Sequence, residues 1–256
     1  MARATIIVPC YNEEQRLDVH RFLSFRGVPH EINFLLVNDG STDGTLALLE
    51  SMRAARPEKF SVLDLQPNRG KGEAVRQGIL AALNSRPDYV GFWDADLATP
   101  LEAISDFLDL AESRPELEVV MGARVKLLGR KIERRPARHY IGRVFATVVS
   151  MMLGLAVYDT QCGAKLFRVS PFLNALFQEP FLSRWVFDVE ILARLIRSQR
   201  KQQLALAELI NEFPLLEWRD VGGSKLSYAD FIRAAWDLVR IYNRYFRDPA
   251  TSLPSR

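Results

Sequence analysis

The sequence has little cysteine, no long uncharged apolar run and no visible leader segment. Its two cysteines, Cys10 and Cys162, give no disulfide framework and fit a reducing compartment. Residues 144–158 are the best candidate for a membrane span, but these fifteen residues include a glycine and fall short of the ~18 that a span needs. Because residues 1–5 lead straight into a strand-like run, we expect no signal peptide. These absences indicate a protein of the cytoplasm.

Several nucleotide-binding and nucleic-acid-binding patterns are missing as well. Gly70 and Gly72 belong neither to a Gly-x-Gly-x-x-Gly pattern nor to a Walker loop, so ordinary dinucleotide or ATP binding is not indicated. No aromatic residues alternate with the basic cluster described below, which argues against a nucleic-acid partner. Since no repeat, low-complexity tract or linker divides the chain, we expect one domain over residues 1–248 and a disordered tail over residues 249–256.

Short apolar runs alternate with amphipathic segments through the first 121 residues. Strands are expected at residues 5–8, 32–37, 60–63, 90–93 and 119–121. Helices are expected at residues 13–25, 44–55, 72–83, 100–112, 137–155, 186–198 and 228–245, with Ser41 or Thr42 capping the second and Thr99 the fourth. This alternation predicts an α/β fold with a mostly parallel sheet and helices on both of its faces. Residues 159–165 are expected to form a loop.

Asp94 and Asp96 follow directly after the apolar run at residues 89–93. Two carboxylates therefore emerge where a buried strand ends, and ligands of open α/β sheets bind at the carboxyl ends of strands. Carboxylates in this place suit a hard divalent cation, Mg²⁺ or Mn²⁺, that leaves coordination positions open for phosphate oxygens. An isolated Asp-x-Asp pair is more often two solvated loop acids, so this interpretation depends on the rest of the chain.

Three more loops follow early strands and carry residues that suit a nucleotide diphosphate. In a doubly wound sheet such loops converge on one crevice. Asp39 can accept hydrogen bonds from a base or a ribose, although Asp-Gly also favours turns. Lys71 stands between two glycines and can meet a phosphate. Glu13 can contact the ligand or cap the first helix.

Residues 124–143 are strongly basic, with eight arginines and lysines and a single acid, Glu133. This segment runs into the apolar helix expected at residues 137–155. An anionic partner at a membrane surface fits the combination, and a solvated charged face is the alternative. The apolar helix is either a core helix or one that lies in the interface. For the amphipathic helix at residues 228–245, packing against the domain is the simpler interpretation.

The four loops, in this order, resemble the glycosyltransferases of family 2, which have the GT-A fold. The matching strings are PCYNE at residues 9–13, VNDGSTDGT at 37–45, NRGKG at 68–72 and DADLATP at 94–100. In the second half, DTQCGAKLF at residues 159–167, RWVFDVEIL at 184–192 and GSKL at 223–226 look like polyprenyl-phosphate glycosyltransferases. Within that group the chain is most similar to dolichyl-phosphate β-glucosyltransferases, with the mannose synthases as cousins. The resemblance covers residues 4 to 230.

The resemblance implies a metal-dependent, inverting transfer of a sugar, with glucose from UDP-glucose as the expected donor. The acceptor would be a polyprenyl phosphate, such as dolichyl or undecaprenyl phosphate, at the cytosolic face of a membrane to which the enzyme binds peripherally. Residues 1–122 would bind the nucleotide sugar and residues 123–248 the acceptor. A lipid phosphate is already anionic, so its direct attack needs little general-base assistance and inverts the anomeric centre.

The resemblance also implies roles for individual residues. Catalytic roles would fall to Asp96, Asp159 and Asp188, and Mg²⁺ or Mn²⁺ would bind Asp94 and Asp96. Contacts with the nucleotide sugar are expected from Pro9, Tyr11, Asn12, Glu13, Asp39, Lys71, Gly72, Asp94, Ala95 and Asp96. Contacts with the acceptor phosphate are expected from Arg124, Arg135, Arg138 and Lys225, and contacts with the sugar or acceptor from Gln161, Trp185 and Glu190.

Structural alternatives remain open for several of these residues. Asp159 can instead cap the turn that follows it, Trp185 can pack in the core, and Lys225 can be an ordinary surface lysine. Asp188 and Glu190 are two residues apart on a helix, so one of them at most faces the cleft, and Asp188 is preferred.

Two departures from the family pattern affect the functional prediction. These glucosyltransferases usually carry an N-terminal membrane anchor, which is not seen ahead of the first strand. Ala98 stands where mannose synthases have a glutamine that can join the metal, which weakly disfavours GDP-mannose. The alternatives are a GDP-mannose-dependent enzyme, a family 2 enzyme with a non-lipid acceptor, and a nucleotide-sugar-binding module without turnover.

Overall fold

The computed structural model describes residues 1–133, 136–200, 206–221 and 228–247, with all side chains except those of residues 136–141, 172, 175, 199, 200, 207 and 228–232. The strands are β1 (Arg3–Cys10), β2 (Glu31–Asp39), β3 (Phe60–Leu65), β4 (Tyr89–Trp93), β5 (Val119–Ala123), β6 (Lys131–Glu133), β7 (Ala164–Arg168), β8 (Ile210–Pro214) and β9 (Glu217–Arg219). The helices are α1 (Val19–Ser24), α2 (Thr45–Ala55), α3 (Lys71–Ala82), α4 (Ala103–Ser113), α5 (Pro136–Leu153), α6 (Pro171–Phe177), α7 (Phe187–Arg200), α8 (Leu206–Leu209) and α9 (Tyr228–Tyr245). The expected tail, residues 249–256, lies outside the described residues.

Seven strands form one sheet in the order β3-β2-β1-β4-β7-β5-β8. Strand β7 runs antiparallel to both of its neighbours, β4 and β5, and the other neighbouring pairs are parallel. Strands β6 and β9 pair with each other in a second, two-stranded sheet. The expected α/β fold with a mostly parallel sheet is confirmed.

The core lies on both faces of the large sheet, because side chains of a strand point alternately to opposite faces. In β1, Ile6 and Val8 belong to the hydrophobic cluster under α1, α2 and α4, whereas Ile7 belongs to the cluster under α3, α5, α6, α7 and α9. All three are fully buried. This pattern explains why the strands read as short, almost continuous apolar runs in the sequence.

The first helix is much shorter than the expected span of residues 13–25. The backbone at Glu13 forms a turn, in which its carbonyl accepts hydrogen bonds from the amides of Arg16 and Leu17. Helix α1 begins only at Val19, because the Asp18 side chain accepts a hydrogen bond from the amide of Arg21 and caps it. Residues 13–17 therefore form a turn that continues the first loop, residues 9–13, instead of a helix.

The expected caps of α2 and α4 are wrong. Helix α2 starts after Gly44, and the Asp43 carboxylate, not Ser41 or Thr42, accepts a hydrogen bond from the Thr45 amide. Helix α4 starts three residues later than expected, and the Thr99 carbonyl accepts a hydrogen bond from the indole of Trp93 instead. Ser41 and Thr42 are hydrogen-bonded to Asn12 of the first loop instead. The cap prediction was wrong because it considered only partners close in the sequence.

Among the described residues, the topology brings seven connections to one edge of the sheet. The parallel strands β1 to β5 and β8 all end at this edge. Strand β7 is antiparallel, so it begins there, and the segment at residues 159–163 lies beside the ends of β4 and β5. No helix in the described part of the chain is long and apolar enough to cross a bilayer.

Candidate active site

Asp94 and Asp96 lie just beyond the end of β4, and each carboxylate faces a cation. The Lys71 ammonium is 2.5 Å from Asp94 Oδ1, and Arg16 Nη2 is 3.6 Å from Asp96 Oδ2. Both carboxylates stay partly exposed, at 33% and 26% of the side chain. The amide of Ala98 donates to Asp96 Oδ1, which holds the loop in its turn. Because both carboxylates are partly exposed at this edge of the sheet, a ligand can reach them.

The electrostatics of this pair are set by burial and by mutual repulsion. Burial, followed by repulsion from Asp94, raises the pKa of Asp96 above its ordinary value. Burial alone would lower the pKa of Lys71, but the nearby carboxylates, Asp94 first, raise it. Lys71 therefore stays charged, and a cation shared by the two carboxylates would relieve their mutual repulsion.

The donor set fits a hard divalent cation that completes its coordination with ligand and water. Two carboxylates one residue apart supply oxygen donors only, which Mg²⁺ and Mn²⁺ accept. Among the described residues there is no group of three or more His, Cys, Asp or Glu side chains that could form a complete protein cage. Remaining positions would come from phosphate oxygens and water, as is usual for magnesium at phosphate sites.

Asp39 at the end of β2 is almost fully buried. Its carboxylate holds the third loop, residues 68–72, in place. Its Oδ1 accepts a hydrogen bond from the Arg69 amide at 2.8 Å, and its Oδ2 accepts from the Gly70 amide and from Asn68 Nδ2. These bonds fix the loop that carries Lys71. The contact of Asp39 with base or ribose stays a prediction.

The two glycines of the third loop permit a close approach of the segment that precedes α7 and of α7 itself. A Cβ at Gly70, where φ is +94°, would meet Arg184 Nε at 2.6 Å, and one at Gly72 would meet the Phe187 side chain at 3.1 Å. The Arg184 guanidinium donates to the Arg69 carbonyl and to Asn68 Oδ1. The segment that precedes α7 is thereby bound to the loop beside Lys71.

The first loop is organised by Asn12, which has a left-handed backbone with φ of 53°. Its amide donates to Ser41 Oγ, and its side-chain oxygen accepts from the Thr42 amide. The amide of Glu13 donates to Thr45 Oγ1 at the start of α2. Asn12 and Glu13 thus connect the first and second loops, with Pro9 at the end of β1 and the exposed Tyr11 beside them.

Arg124 and Asp159 form a bidentate ion pair at the end of β5. Arg124 Nε donates to Asp159 Oδ2 at 2.6 Å and Nη2 to Oδ1 at 2.7 Å, and the Arg124 amide also donates to Oδ2. The amides of Tyr158 and Asp159 donate to the Glu212 carboxylate. Asp159 Oδ1 also accepts a hydrogen bond from the Gln161 amide, as the alternative of a turn cap predicts. Its catalytic role stays a prediction.

Asp188 and Glu190 are buried, each in its own ion pair. Asp188 Oδ1 accepts from Lys165 Nζ at 2.5 Å, and burial raises the pKa of this carboxyl despite the lysine. Glu190 is fully buried, with Arg194 Nη2 and the Tyr245 hydroxyl on one oxygen. Asp188 nevertheless lies close enough to Lys71 and Asp94 for their charges to act on its pKa. The catalytic role of Asp188 and the sugar contact of Glu190 stay predictions.

Gln161 and Trp185 are the remaining predicted contacts that the structure describes. Gln161 lies in the 159–163 segment, and its Nε2 atom is buried with no hydrogen-bond partner in the part of the chain that the structure describes. Trp185 is 38% exposed beside the third loop, so it does not pack in the core. Ala95 is buried in the Asp94–Asp96 turn. Arg135 and Lys225 lie outside the described residues, and Arg138 lies in α5 with its side chain outside them.

Four residues of the site were missed from sequence. Arg16 and Arg184 bridge loops that are far apart in the chain, and Glu212 accepts hydrogen bonds from the amides at 158 and 159. Lys165 sits in the matched string at residues 159–167, yet nothing in that string distinguishes it from a surface lysine. Its full burial, which is the informative property, follows from the antiparallel strand β7.

Comparison with known proteins agrees with this architecture. Residues 5–174 match the family model described as glycosyl transferase family 2. Curated proteins named dolichyl-phosphate β-glucosyltransferase are 32% identical in Dictyostelium discoideum and 33% in Saccharomyces cerevisiae, over 94% of this chain and 74% of each relative. The Homo sapiens protein of that name is 30% identical, over 94% of this chain and 75% of its own length.

Solved structures with low sequence identity share the fold. Glucosyl-3-phosphoglycerate synthase from Mycobacterium tuberculosis, with Mn²⁺, UDP and glucosyl-3-phosphoglycerate, superposes with a TM-score of 0.65 at 17% identity, covering 99% of this chain and 81% of its own. The same enzyme with Mg²⁺ and UDP gives a TM-score of 0.63 at 17% identity, over 99% and 81% of the two chains.

Proposed function

The chain belongs to glycosyl transferase family 2, in its group of dolichyl-phosphate β-glucosyltransferases, and from this membership we propose that it transfers glucose from UDP-glucose to a dolichyl or other polyprenyl phosphate with inversion. The observation that carries the proposal is 30–33% identity over 94% of the chain to relatives of that name in three distant organisms. The arrangement of cations and carboxylates at one sheet edge supports it.

On the donor side, Asp94 and Asp96 would hold Mg²⁺ or Mn²⁺. When bound, such a cation neutralises the donor diphosphate and stabilises the leaving nucleotide. The Lys71 ammonium, 2.5 Å from Asp94, is close enough to contact the same diphosphate. Pro9, Tyr11, Asn12 and Glu13 would surround the nucleoside, with Gly72 and Ala95 shaping the loops. The partial exposure of the Asp94 and Asp96 carboxylates supports these roles.

On the acceptor side, Arg124 would bind the lipid phosphate, oriented by its two hydrogen bonds to Asp159. A phosphate monoester is anionic near neutral pH, so it needs approach and charge neutralisation more than a base. Arg135, Arg138 and Lys225 would add positive charge. The buried Gln161 Nε2, which lacks a partner in the described residues, would donate to the sugar or the acceptor.

The lipid acceptor requires a membrane surface, and α5 offers a suitable face. Val144, Val148 and Met151 lie on one side of this helix at a spacing of four and three residues and are 51–79% exposed. The basic segment at residues 124–143 leads into this face and would attract anionic headgroups. We place the enzyme peripherally on the cytosolic face of a membrane.

A transfer assay tests this proposal. The purified protein is given Mn²⁺, dolichyl phosphate and either UDP-glucose or GDP-mannose, each with a labelled sugar, and organic-phase label is counted. We expect label from UDP-glucose, its loss in Asp96→Asn, and little change in Asp88→Asn, which alters an exposed acid at the opposite end of β4. Label from GDP-mannose alone would overturn the donor, and label on water-soluble acceptors alone would overturn the acceptor.

A further inference from the structure

We propose that Lys165 is a positioning residue of the active site, which holds the turn at residues 160–163 so that Gln161 and Asp94 keep their reactive arrangement. This inference rests on the proposed function for the identity of the reaction. It concerns a side chain to which neither the family resemblance nor the comparisons assign a role. Lys165 is in β7 and is fully buried.

The Lys165 ammonium has three acceptors that converge on it from two elements. Nζ donates to the carbonyl of Thr160 at 2.9 Å, to the carbonyl of Cys162 at 2.8 Å and to Asp188 Oδ1 at 2.5 Å. The ammonium also lies 5.3 Å from the centre of the Phe92 ring. All three of its hydrogens are thus used, and the turn is joined to α7 through one atom.

The two carbonyls bonded by Lys165 flank Gln161 on either side. Fixing residues 160 and 162 fixes the backbone from which the Gln161 side chain extends, and the Gln161 amide adds a hydrogen bond to Asp159 Oδ1. The Nε2 atom of Gln161 is buried without a partner in the described residues, so its position matters for any ligand that it contacts. A shift of the turn would move this donor away from the ligand.

The same turn also supports the donor-side carboxylate. The Asp94 amide donates to the Gly163 carbonyl at 2.9 Å. Gly163 packs so closely that a Cβ there would overlap the Asp94 carboxylate. The turn held by Lys165 therefore touches Asp94 at one end and the Asp159–Arg124 pair at the other.

Burying a lysine in a core costs more free energy than burying an apolar side chain of similar volume. Two charges must be removed from water, and an apolar pair of similar volume is often as stable or more stable at such a position. What an apolar pair cannot do is bond two backbone carbonyls of a turn at once. The retained charge is thus explained by the geometry of the turn, and this explanation can be separated from stability by experiment.

The first variants separate folding from positioning. Lys165→Met leaves Asp188 buried and unpaired, so we expect the melting temperature to fall by about 10 °C. In the double variant Lys165→Met/Asp188→Asn no buried charge remains, and we expect most of this loss to be recovered. The carbonyls of Thr160 and Cys162 still lack their donor, so kcat of the double variant should stay about 100-fold below that of Asp188→Asn alone, which isolates the effect of Lys165.

Coupling to Gln161 tests whether Lys165 acts through the turn. Gln161→Ala should lower kcat of the wild type but change kcat of the double variant by less than about threefold, because the side chain is already misplaced there. Lys165→Arg is a second test. The variant keeps the charge, but a planar guanidinium cannot place one nitrogen among all three acceptors. We therefore expect its kcat to fall about as far as that of the double variant. A double variant with the kcat of Asp188→Asn, or Lys165→Arg with wild-type kcat, would overturn the proposal, and so would additive losses with Gln161→Ala.

Lys59 provides a matched control. It is also a buried lysine that donates to a backbone carbonyl, that of Phe25, but it precedes β3 at the opposite end of the sheet. Lys59→Met should alter the melting temperature and leave kcat unchanged. All variants are assayed for lipid labelling and for UDP release from UDP-glucose without acceptor. A wild type that releases UDP but labels no lipid would refute the proposed acceptor and leave the Lys165 test intact.

Discussion

At the scale of single residues, the acids of the candidate site differ in how much of their hydrogen-bonding capacity is already used. Asp94 and Asp96 are partly exposed and face cations across the open edge. Asp159, Asp188 and Glu190 are buried and bound to basic partners. A satisfied, buried carboxylate orients its partner, whereas a partly open one can bind a ligand.

Asp159→Asn tests whether this carboxylate orients Arg124. The change removes the charge that holds the guanidinium, so we expect kcat/KM for the lipid acceptor to fall about 100-fold, roughly 2.7 kcal/mol, with the KM for UDP-glucose little changed. Arg124→Lys should have a similar effect, and the double variant should be no worse than either. Additive losses, or a new pH dependence of kcat in Asp159→Asn, would contradict the positioning role.

Gly163→Ala tests the contact between the 159–163 segment and Asp94. The added methyl would overlap the Asp94 carboxylate, which is able to turn away because it is partly exposed. We expect the affinity for Mn²⁺ with UDP, measured by calorimetry, to fall about tenfold with little loss of stability.

Gly154→Ala is the control for this change. Its Cβ would meet nothing within 4 Å, and the left-handed backbone, with φ of +62°, adds a strain of about 1 kcal/mol. It should lower stability and leave the affinity for Mn²⁺ with UDP unchanged. Equal affinities in the two variants would show that Gly163 does not set the position of Asp94.

The sequence predicted that Asp94 and Asp96 lie at the end of a buried strand, but it did not predict that Asp188 and Glu190 are buried, for a physical reason. Asp94 and Asp96 follow a buried strand directly, and their place at the edge of the sheet depends only on local order. The burial of Asp188 depends on Lys165, 23 residues earlier, and that of Glu190 on Tyr245, 55 residues later. Partners at such distances in the chain are set by topology, which the local pattern does not contain.

At the scale of secondary-structure elements, helix α7 links the core of the site to α9. Arg194 of α7 donates to the carbonyls of Leu176, Glu179 and Pro180 and to Glu190, and Glu190 accepts from Tyr245 of α9. This network is buried, and its side chains already use their hydrogen-bonding groups within the protein. It fixes α9 against the domain.

Glu190→Gln tests the structural role of this network. Loss of the charge leaves the buried Arg194 without its counter-ion, so we expect a loss of about 3 kcal/mol in the free energy of unfolding. The KM for UDP-glucose should not change, since Glu190 does not reach the open edge. Glu179→Gln, an exposed acid nearby, serves as the control. A raised KM with unchanged stability would contradict the structural role and support the sugar contact predicted from sequence.

The least predictable element was strand β7. Its first two residues, Ala164 and Lys165, lie in the segment expected to be a loop, and its antiparallel direction interrupts an otherwise parallel order. Alternating strands and helices predicted the first half well, and the bounds of α9 agree with the expected residues 228–245. The strands of the second half could not be predicted from periodicity, because they are short and pair with strands far away in sequence.

At the scale of the whole molecule, charge and exposed apolar area lie together in the second half of the chain. The basic segment at residues 124–143 precedes and enters α5, whose outer face exposes Val144, Val148 and Met151. An exposed apolar face next to positive charge is typical of proteins that bind the surface of anionic membranes. Such binding would bring the enzyme to its lipid acceptor.

Vesicle sedimentation tests this surface. We expect the protein to sediment with vesicles that contain anionic lipid, less so as salt rises, because a Debye length of about 10 Å at 0.1 M salt weakens surface attraction. Val148→Asp/Met151→Asp should reduce binding at least about tenfold. Val28→Asp, an exposed apolar residue between α1 and β2, should have no effect. Equal binding of all variants would exclude the α5 face as the contact.

The chemical identity of the product tests the proposed reaction itself. Wild-type protein is incubated with UDP-glucose, Mn²⁺ and dolichyl phosphate, and the lipid fraction is analysed by NMR. Direct attack by the lipid phosphate on an α-linked donor predicts a dolichyl phosphate that carries glucose in β linkage. An α-linked product would contradict the inverting mechanism, and an unmodified lipid with glucose transferred elsewhere would contradict the proposed acceptor.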